Sequence, residues 1–321
     1  MSQNVQLIHY HLIEQLEVAN EIPKGVDLIG APEIWKDATA SDITVAILDT
    51  GCDVNHLELN ENIIGGRNFT NDDQGNPDII MDYNGHGTHV AGTIAAKQNE
   101  QGVVGVAPDA KLLILKVLGK DGSGQYDWII DAIHYAIEQQ VDIIQMSLGG
   151  PNDVSDLHDA IQQAVIQHNI PVVCAAGNEG DGKHQTDELA YPGSYNEVIS
   201  VGAVDLERSS SEFSNSNNQI DLVAPGEQII STYLEGKYAK LSGTSMAAPH
   251  VSGALALIKT LASKHFERQL SEAELYAQLI RRTVPLGHPP QTEGNGMIYL
   301  PLLGELQTIF EDVRARVQLT T

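Results

Sequence analysis

Basic residues are scarce in this sequence: 18 Lys and Arg stand against 43 Asp and Glu, a formal net charge of −25 over 321 residues. A surface that acidic repels nucleic acid and anionic lipid, so neither is an expected partner, while bound cations are compatible with it. Cysteine is scarcer still, with Cys52 and Cys174 alone. That excludes a multi-bridge disulfide scaffold and leaves two small buried thiols as the expectation. No run of 18 apolar residues occurs, so no membrane-spanning helix is expected. The first residues carry neither a basic stretch nor an apolar segment ending in small residues. The expectation is a chain without an export signal, placed in the cytoplasm. Repeats and low-complexity tracts are missing as well.

What is present suits one large core with small appendages at its ends. Apolar runs at 43–48, 112–117, 141–146, 170–175, 198–203 and 220–223 alternate with helical patterns at 86–96, 125–139 and 155–168. Nearly continuous apolar strands alternating with helices predict an α/β fold, its mostly parallel sheet covered on both faces. Such sheets bind ligands beyond the carboxyl ends of their strands. Asp49 closes the first run, Ser147-Leu148-Gly149 the third and Gly177-Asn178 the fourth. One rim therefore gathers the informative turns.

Two further stretches carry chemistry. Gly243-Thr244-Ser245-Met246-Ala247-Ala248-Pro249-His250 leads into an apolar, small-residue helix that would be buried on every side. Ser245 would stand at its positive end among unpaired N–H groups, either as an N-cap or as a nucleophile beside oxyanion donors. Pro249 is expected within the first turn, where its missing N–H is not needed. Asn84-Gly85-His86-Gly87-Thr88-His89 sets a histidine at another helix start, with glycines that admit close backbone. A carboxylate at a strand end, a histidine and a serine at two helix starts suit an orienting acid, a base and a nucleophile within mutual hydrogen-bonding reach. His89 and His250 are read as packing.

The ends of the chain are less regular. Residues 6–13 alternate, 14–19 look weakly helical, a flexible junction is expected at 17–22, and 31–35 reads as a short helix. Ser271-Glu272-Ala273-Glu274 forms a capping box opening a helix through Arg282. Residues 285–296 are expected to be loop. At 302–317 apolar residues recur at helical spacing, an amphipathic stripe needing its own core or a second subunit.

Asp49-Thr50-Gly51, His86-Gly87-Thr88-His89, Ala176-Gly177-Asn178-Glu179-Gly180 and the Gly243–His250 stretch together resemble the four signature blocks of subtilisin-family serine proteases, in that family's order of acid, histidine, serine. The likeness covers about residues 20–300, and the ends resemble the intracellular subtilisins of bacilli. The division implied is an inhibitory extension at 1–19, a protease domain at 20–300 and a tail at 301–321. The resemblance implies Ser245 as nucleophile, His86 as base then acid, Asp49 as its orienting group, and Asn178 as oxyanion donor supported by Thr244. It implies that Gly122-Ser123-Gly124 and Ser147-Leu148-Gly149 pair with an extended peptide, so specificity would be broad. Tyr126 and Leu148 would line a distal apolar pocket, and Gly177 with Ala190 a roomy primary pocket preferring large apolar side chains.

Calcium is the cofactor that the resemblance implies. One site would take Asn20, Glu58, Lys97, Asn99, Gln101 and Val103, with His56-Leu57-Glu58-Leu59 standing where the family usually has His-Pro-Asp-Leu. A second would take Gly193, Tyr195, Val198 and Asp221. Leu7-Ile8-His9-Tyr10 resembles the family's Leu-Ile-Pro-Tyr/Phe inhibitory motif without its proline, implying a zymogen whose extension lies across the active site. The implied partners are flexible polypeptide substrates and a second copy of the chain. An esterase using the same triad, or a catalytically silent peptide-binding protein, is the alternative.

Overall fold

The computed structural model describes residues 4–304. The tail that the sequence reads as an amphipathic, dimerising helix lies almost wholly outside them. In chain order the extension forms β1 (Asn4–Leu7) and β2 (His11–Leu16), followed by β3 (Asn20–Glu21) and the short helices α1 (Lys24–Leu28) and α2 (Ala31–Ile34). The body continues with β4 (Thr44–Asp49), β5 (Ile63–Asn68), α3 (His86–Ala95), β6 (Gly102–Val103), β7 (Lys111–Lys116), β8 (Ser123–Gln125) and α4 (Tyr126–Glu138). Then come β9 (Ile143–Met146), β10 (Leu148–Gly149), α5 (Ser155–Gln162), β11 (Val172–Ala175), β12 (Ile199–Val204) and β13 (Leu222–Pro225). The last elements are β14 (Ile229–Thr232), β15 (Tyr238–Ser242), α6 (Thr244–Phe266), α7 (Glu272–Ile280), β16 (Thr283–Val284), α8 (Pro290–Glu293) and β17 (Met297–Ile298).

The six apolar runs all become strands of one nine-stranded sheet, ordered β16-β17-β13-β12-β11-β9-β4-β7-β5. Every pair in it is parallel except β16 with β17. The strands formed from the six runs are buried on both faces almost throughout, which is why they read as continuous rather than alternating. One face carries a core cluster containing α3 and α6 residues, the other a cluster containing α4 and α5 residues. Because β11, β9 and β4 are parallel neighbours, the turns after Ala175, Met146 and Asp49 open on the same edge, as the rim argument requires.

α6 passes through the interior. Every residue from Thr244 to Thr260 is buried, and the helix packs on β9, β11, β12, β13 and α3. Only small and apolar side chains let it approach so many elements at once, as its composition suggests.

Four local expectations are corrected. Residues 14–19 do not form a helix: β2 spans His11–Leu16 and pairs antiparallel with β15, so a waiting sheet edge overrides weak helical propensity. The 17–22 junction contains β3, whose Asn20 and Glu21 pair with Gly102 and Val103. The 285–296 segment includes the one-turn helix α8, started by prolines that preset the helical φ. Pro249 is the sixth residue of α6, beyond the first turn, and its neighbours must accommodate the lost donor. The predicted capping box is present at Ser271 and Glu274.

Candidate active site

Asp49 is the last residue of β4 and His86 the first of α3, both buried, with His86 Nδ1 donating to Asp49 Oδ1 at 2.8 Å. The amide of Thr50 donates to the same oxygen at 2.8 Å, so the carboxylate is held on two sides. Close packing of the two elements depends on Gly87: a Cβ there would lie 2.2 Å from the carbonyl of Gly51.

Asp82 holds the start of α3. Its Oδ1 accepts from Thr50 Oγ1 and from the amides of Asn84 and Gly85, and its Oδ2 from the amide and hydroxyl of Thr88, all within 2.7–3.0 Å. A carboxylate at a helix start also complements the dipole there. Lys116, fully buried at the end of β7, donates to the carbonyls of Thr50 at 2.6 Å and Leu118 at 3.2 Å, and pairs with Asp72 at 3.1 Å. Both residues steady the Asp49 turn and both escaped sequence reasoning. The available signal was a lysine closing an apolar strand and an aspartate four residues before His86.

Ser245 is the second residue of α6. Pro249 cannot donate to the Ser245 carbonyl, and Ser147 Oγ does so instead at 3.0 Å. Ser147 in turn receives Gln145 Nε2 at 2.9 Å, and Gln145 Oε1 receives Ser252 Oγ at 2.5 Å. A buried polar chain thus ties the nucleophile candidate's backbone to β9 and back to its own helix.

Asn178 is oriented by Thr244, whose amide and hydroxyl both donate to its Oδ1 at 2.9 and 2.8 Å. Its Nδ2 therefore points outward, where it donates to the carbonyl of His9 at 2.6 Å. Gly243 makes room: a Cβ there would stand 2.8 Å from Asn178 Nδ2.

The extension fills the cleft. β1 lies antiparallel between β8 and β10, pairing Val5 with Gly124, Gln6 with Ser123 and Gly149, and Leu7 with Leu148. The amide of Leu7 also donates to the Gly122 carbonyl at 2.8 Å. These are the two segments expected to sandwich a peptide. Val5 is buried in the cluster that holds Leu118 together with Tyr126 and Leu148, the two residues expected to line the distal pocket. Ile8 is buried against Gly149, and Gly177 and Ala190 are buried as well. The Tyr10 ring sits 4.9 Å from the His86 ring, and its hydroxyl donates to Asn84 Oδ1 at 3.2 Å.

One expected contact is not made in this arrangement. His86 Nε2 has no hydrogen-bond partner among the described residues, and the Ser245 hydroxyl donates to the carbonyl of Ser147 at 3.4 Å. The acid–histidine link is formed while the histidine–serine link is open, with Tyr10 lying over the imidazole.

The first set of expected metal ligands converges in part. Asn20, Lys97, Asn99, Gln101 and Val103 line one cavity of about 180 Å³. Their carbonyl and amide oxygens suit a hard cation. Glu58 meets the loop from inside: both its oxygens lie 3.1 Å from the Val103 amide, and Tyr238 donates to Oε1 at 2.9 Å. Burial pushes its carboxyl up to about 7. In the second set, the Asp221 oxygens accept from Tyr276 at 2.6 Å and from the Ser200 amide at 2.8 Å.

The remaining histidines in the core are structural, as read. His89 Nε2 faces the carbonyls of Ile229 and Ala239, and His250 Nδ1 that of Met246. Burial lowers them to about 3 and about 4 respectively. Cys52 and Cys174 are free and buried, and burial raises both thiols.

The subtilase family model matches residues 40–296. An "Intracellular serine protease" of Paenibacillus polymyxa is 63% identical over 321 residues, 100% of this chain and 98% of that protein. The "Major intracellular serine protease" of Bacillus subtilis is 59% identical over 308 residues, 95% of this chain and 96% of the relative. Subtilisin E of the same organism is 45% identical over 250 residues, 78% of this chain and 63% of its own length.

Proposed function

This chain belongs to the subtilase family and is a serine endopeptidase, and from that premise we propose that it is a cytoplasmic, broad-specificity enzyme made as a zymogen. The observation carrying the zymogen is the hydrogen bond from Asn178 to the His9 carbonyl while β1 occupies both peptide-pairing segments. The extension lies along the cleft in the manner of a substrate. Tyr10 covers the base, and the nucleophile's hydroxyl is turned to Ser147.

Release of the extension uncovers His86, and the Ser245 hydroxyl turns to its Nε2. His86 then takes the hydroxyl proton as Oγ attacks the substrate carbonyl, and Asp49 holds the imidazole in the tautomer that can accept it. Asn178 Nδ2 and the Ser245 amide receive the negative charge on the carbonyl oxygen. His86 returns the proton to the leaving amine, and water repeats the cycle on the acyl-enzyme. Backbone pairing with β8 and β10 selects extended chain with little regard to sequence. The small residues Gly177 and Ala190 favour large apolar side chains next to the cut.

Calcium is proposed at the Lys97–Val103 loop, held by Asn99 with the loop carbonyls and Asn20. It would supply positive charge that ties β3 to the loop. A homodimer is proposed on the family likeness together with the helical spacing of apolar residues in the tail.

The test is the Ser245→Ala variant of the full chain beside the unaltered one, followed on a chromogenic peptide and by mass spectrometry. The variant is expected to keep residues 1–19 and show no hydrolysis. The unaltered chain should lose the extension and gain activity together. Activity that is already full before any cut would defeat the zymogen reading.

A further inference from the structure

β15 has two edges, and the extension covers one of them. β14 pairs along the first; β2 pairs along the second, with Ser242 opposite His11, Leu241 opposite Leu12, Lys240 opposite Glu14 and Tyr238 opposite Leu16. The ladder shifts register between Lys240 and Leu241. β15 runs directly into Gly243-Thr244-Ser245, so this edge starts beside the nucleophile. The residues before His9 fill the β8–β10 slot, and the residues after Tyr10 follow β15. The edge therefore lies on the leaving-group side of the cleft.

β2 is held there by few side chains. Residues His11 to Gln15 are exposed. Lys240 pairs with Glu14 at 3.0 Å and Lys237 with Glu17 at 3.4 Å. Leu16 rests against a small apolar cluster containing Ala96, Val103, Ile230 and Tyr238. The rest of the grip is backbone, which any extended polypeptide can reproduce. Acidic residues outnumber basic ones by 43 to 18 over the molecule; Lys240 on this edge, and Lys237 just before it, which also pairs with Glu235 at 3.3 Å, are the cations met by the extension here.

We propose that the β15 edge, once β2 has left it, is an extended leaving-side subsite. It takes the substrate strand downstream of the cut and prefers acidic residues where Glu14 and Glu17 now sit, with an apolar residue at the place of Leu16. This rests on the reading that the extension occupies the cleft as a substrate does. Apolar surface left bare by Leu16 and Ala19 is covered again by the incoming chain, and the unpaired backbone of β15 regains its ladder.

The experiment uses the full chain, folded intact and then allowed to shed its extension, with release followed by mass spectrometry. Three peptides share one acyl side and one cleavage point. The first stops shortly after the cut. The second continues with glutamate at the Glu14 and Glu17 places and leucine at that of Leu16. The third has lysine in place of both glutamates. The acidic long peptide is expected to show a kcat/KM about tenfold above the short one, mostly through KM, given two exposed ion pairs and a renewed ladder. The lysine peptide should lose most of that gain. The acidic preference should shrink in about 0.5 M salt and in a Lys237→Ala/Lys240→Ala variant, whereas proline at the paired positions should cut the gain at any salt. Equal kcat/KM for short and long peptides, all being cleaved, would overturn the subsite alone. Failure to cleave even the short peptide would overturn the peptidase reading and the subsite with it.

Discussion

Ser147 donates its hydroxyl to the carbonyl of Ser245 at 3.0 Å, at the point where Pro249 withholds the helical donor. A residue on the substrate-binding rim thus repairs the helix that presents the nucleophile. Ser147→Ala leaves that buried carbonyl bare and should cost about 1–3 kcal/mol of stability. It should also lower kcat more than it raises KM, because Ser245 loses its anchor. Denaturant melts and steady-state kinetics on a short peptide check both.

The Asp82 carboxylate accepts five hydrogen bonds, from Thr50, Asn84, Gly85 and Thr88, and none is from a group that reacts. Asp82→Ala should destabilise the fold by about 3 kcal/mol or more, since several buried donors lose a charged acceptor at once. Asp82→Asn keeps the shape and should recover part of the loss. A variant that melts with the unaltered protein would contradict this.

His9→Pro should prolong the latent period before activity appears. Proline locks φ and removes the N–H between Ile8 and the carbonyl held by Asn178, stiffening the segment at the nucleophile. The lag in peptide hydrolysis at fixed enzyme concentration measures it, and an unchanged or shortened lag counts against the role.

Acid stability should reflect His89 and His250. Both are neutral in the fold, lowered by burial to about 3 and about 4, while the unfolded chain takes up their protons near pH 6.5. Below that pH the unfolded state binds more protons, so stability is whole above 6.5 and is lost as pH falls toward 4. The slope is at most about 1.4 kcal/mol per pH unit for each histidine. His250→Gln should flatten the fall in melting temperature between pH 6.5 and 4.

Chelator should lower the melting temperature and speed self-digestion if the Lys97–Val103 loop holds calcium, and added calcium should restore both. A melting curve indifferent to chelator and calcium would remove the ion from the account.

Much of this was legible in the residues. All six apolar runs became strands of the central sheet, because strands buried on both faces announce themselves without alternation. The Asp49, His86 and Asn178 positions followed from strand ends and glycine-rich turns. Asp82 and Lys116 stayed hidden because most of their partners are backbone groups, which spacing along a sequence does not reveal. β2 was missed because its strand character comes from the edge of β15 rather than from its own exposed side chains. The open link between His86 and Ser245 accompanies the Tyr10 ring beside the imidazole, whose placement no local pattern records.

A serine endopeptidase lives among copies of itself. Its nucleophile is mounted on a rod sheathed along seventeen consecutive positions, from Thr244 to Thr260. Local fraying cannot expose that segment to a neighbour's cleft, so a cut within it waits until the body opens as a whole. The working lifetime of the population is therefore set by the rate of that opening, and a variant that packs α6 more loosely should disappear faster even where its chemistry is untouched.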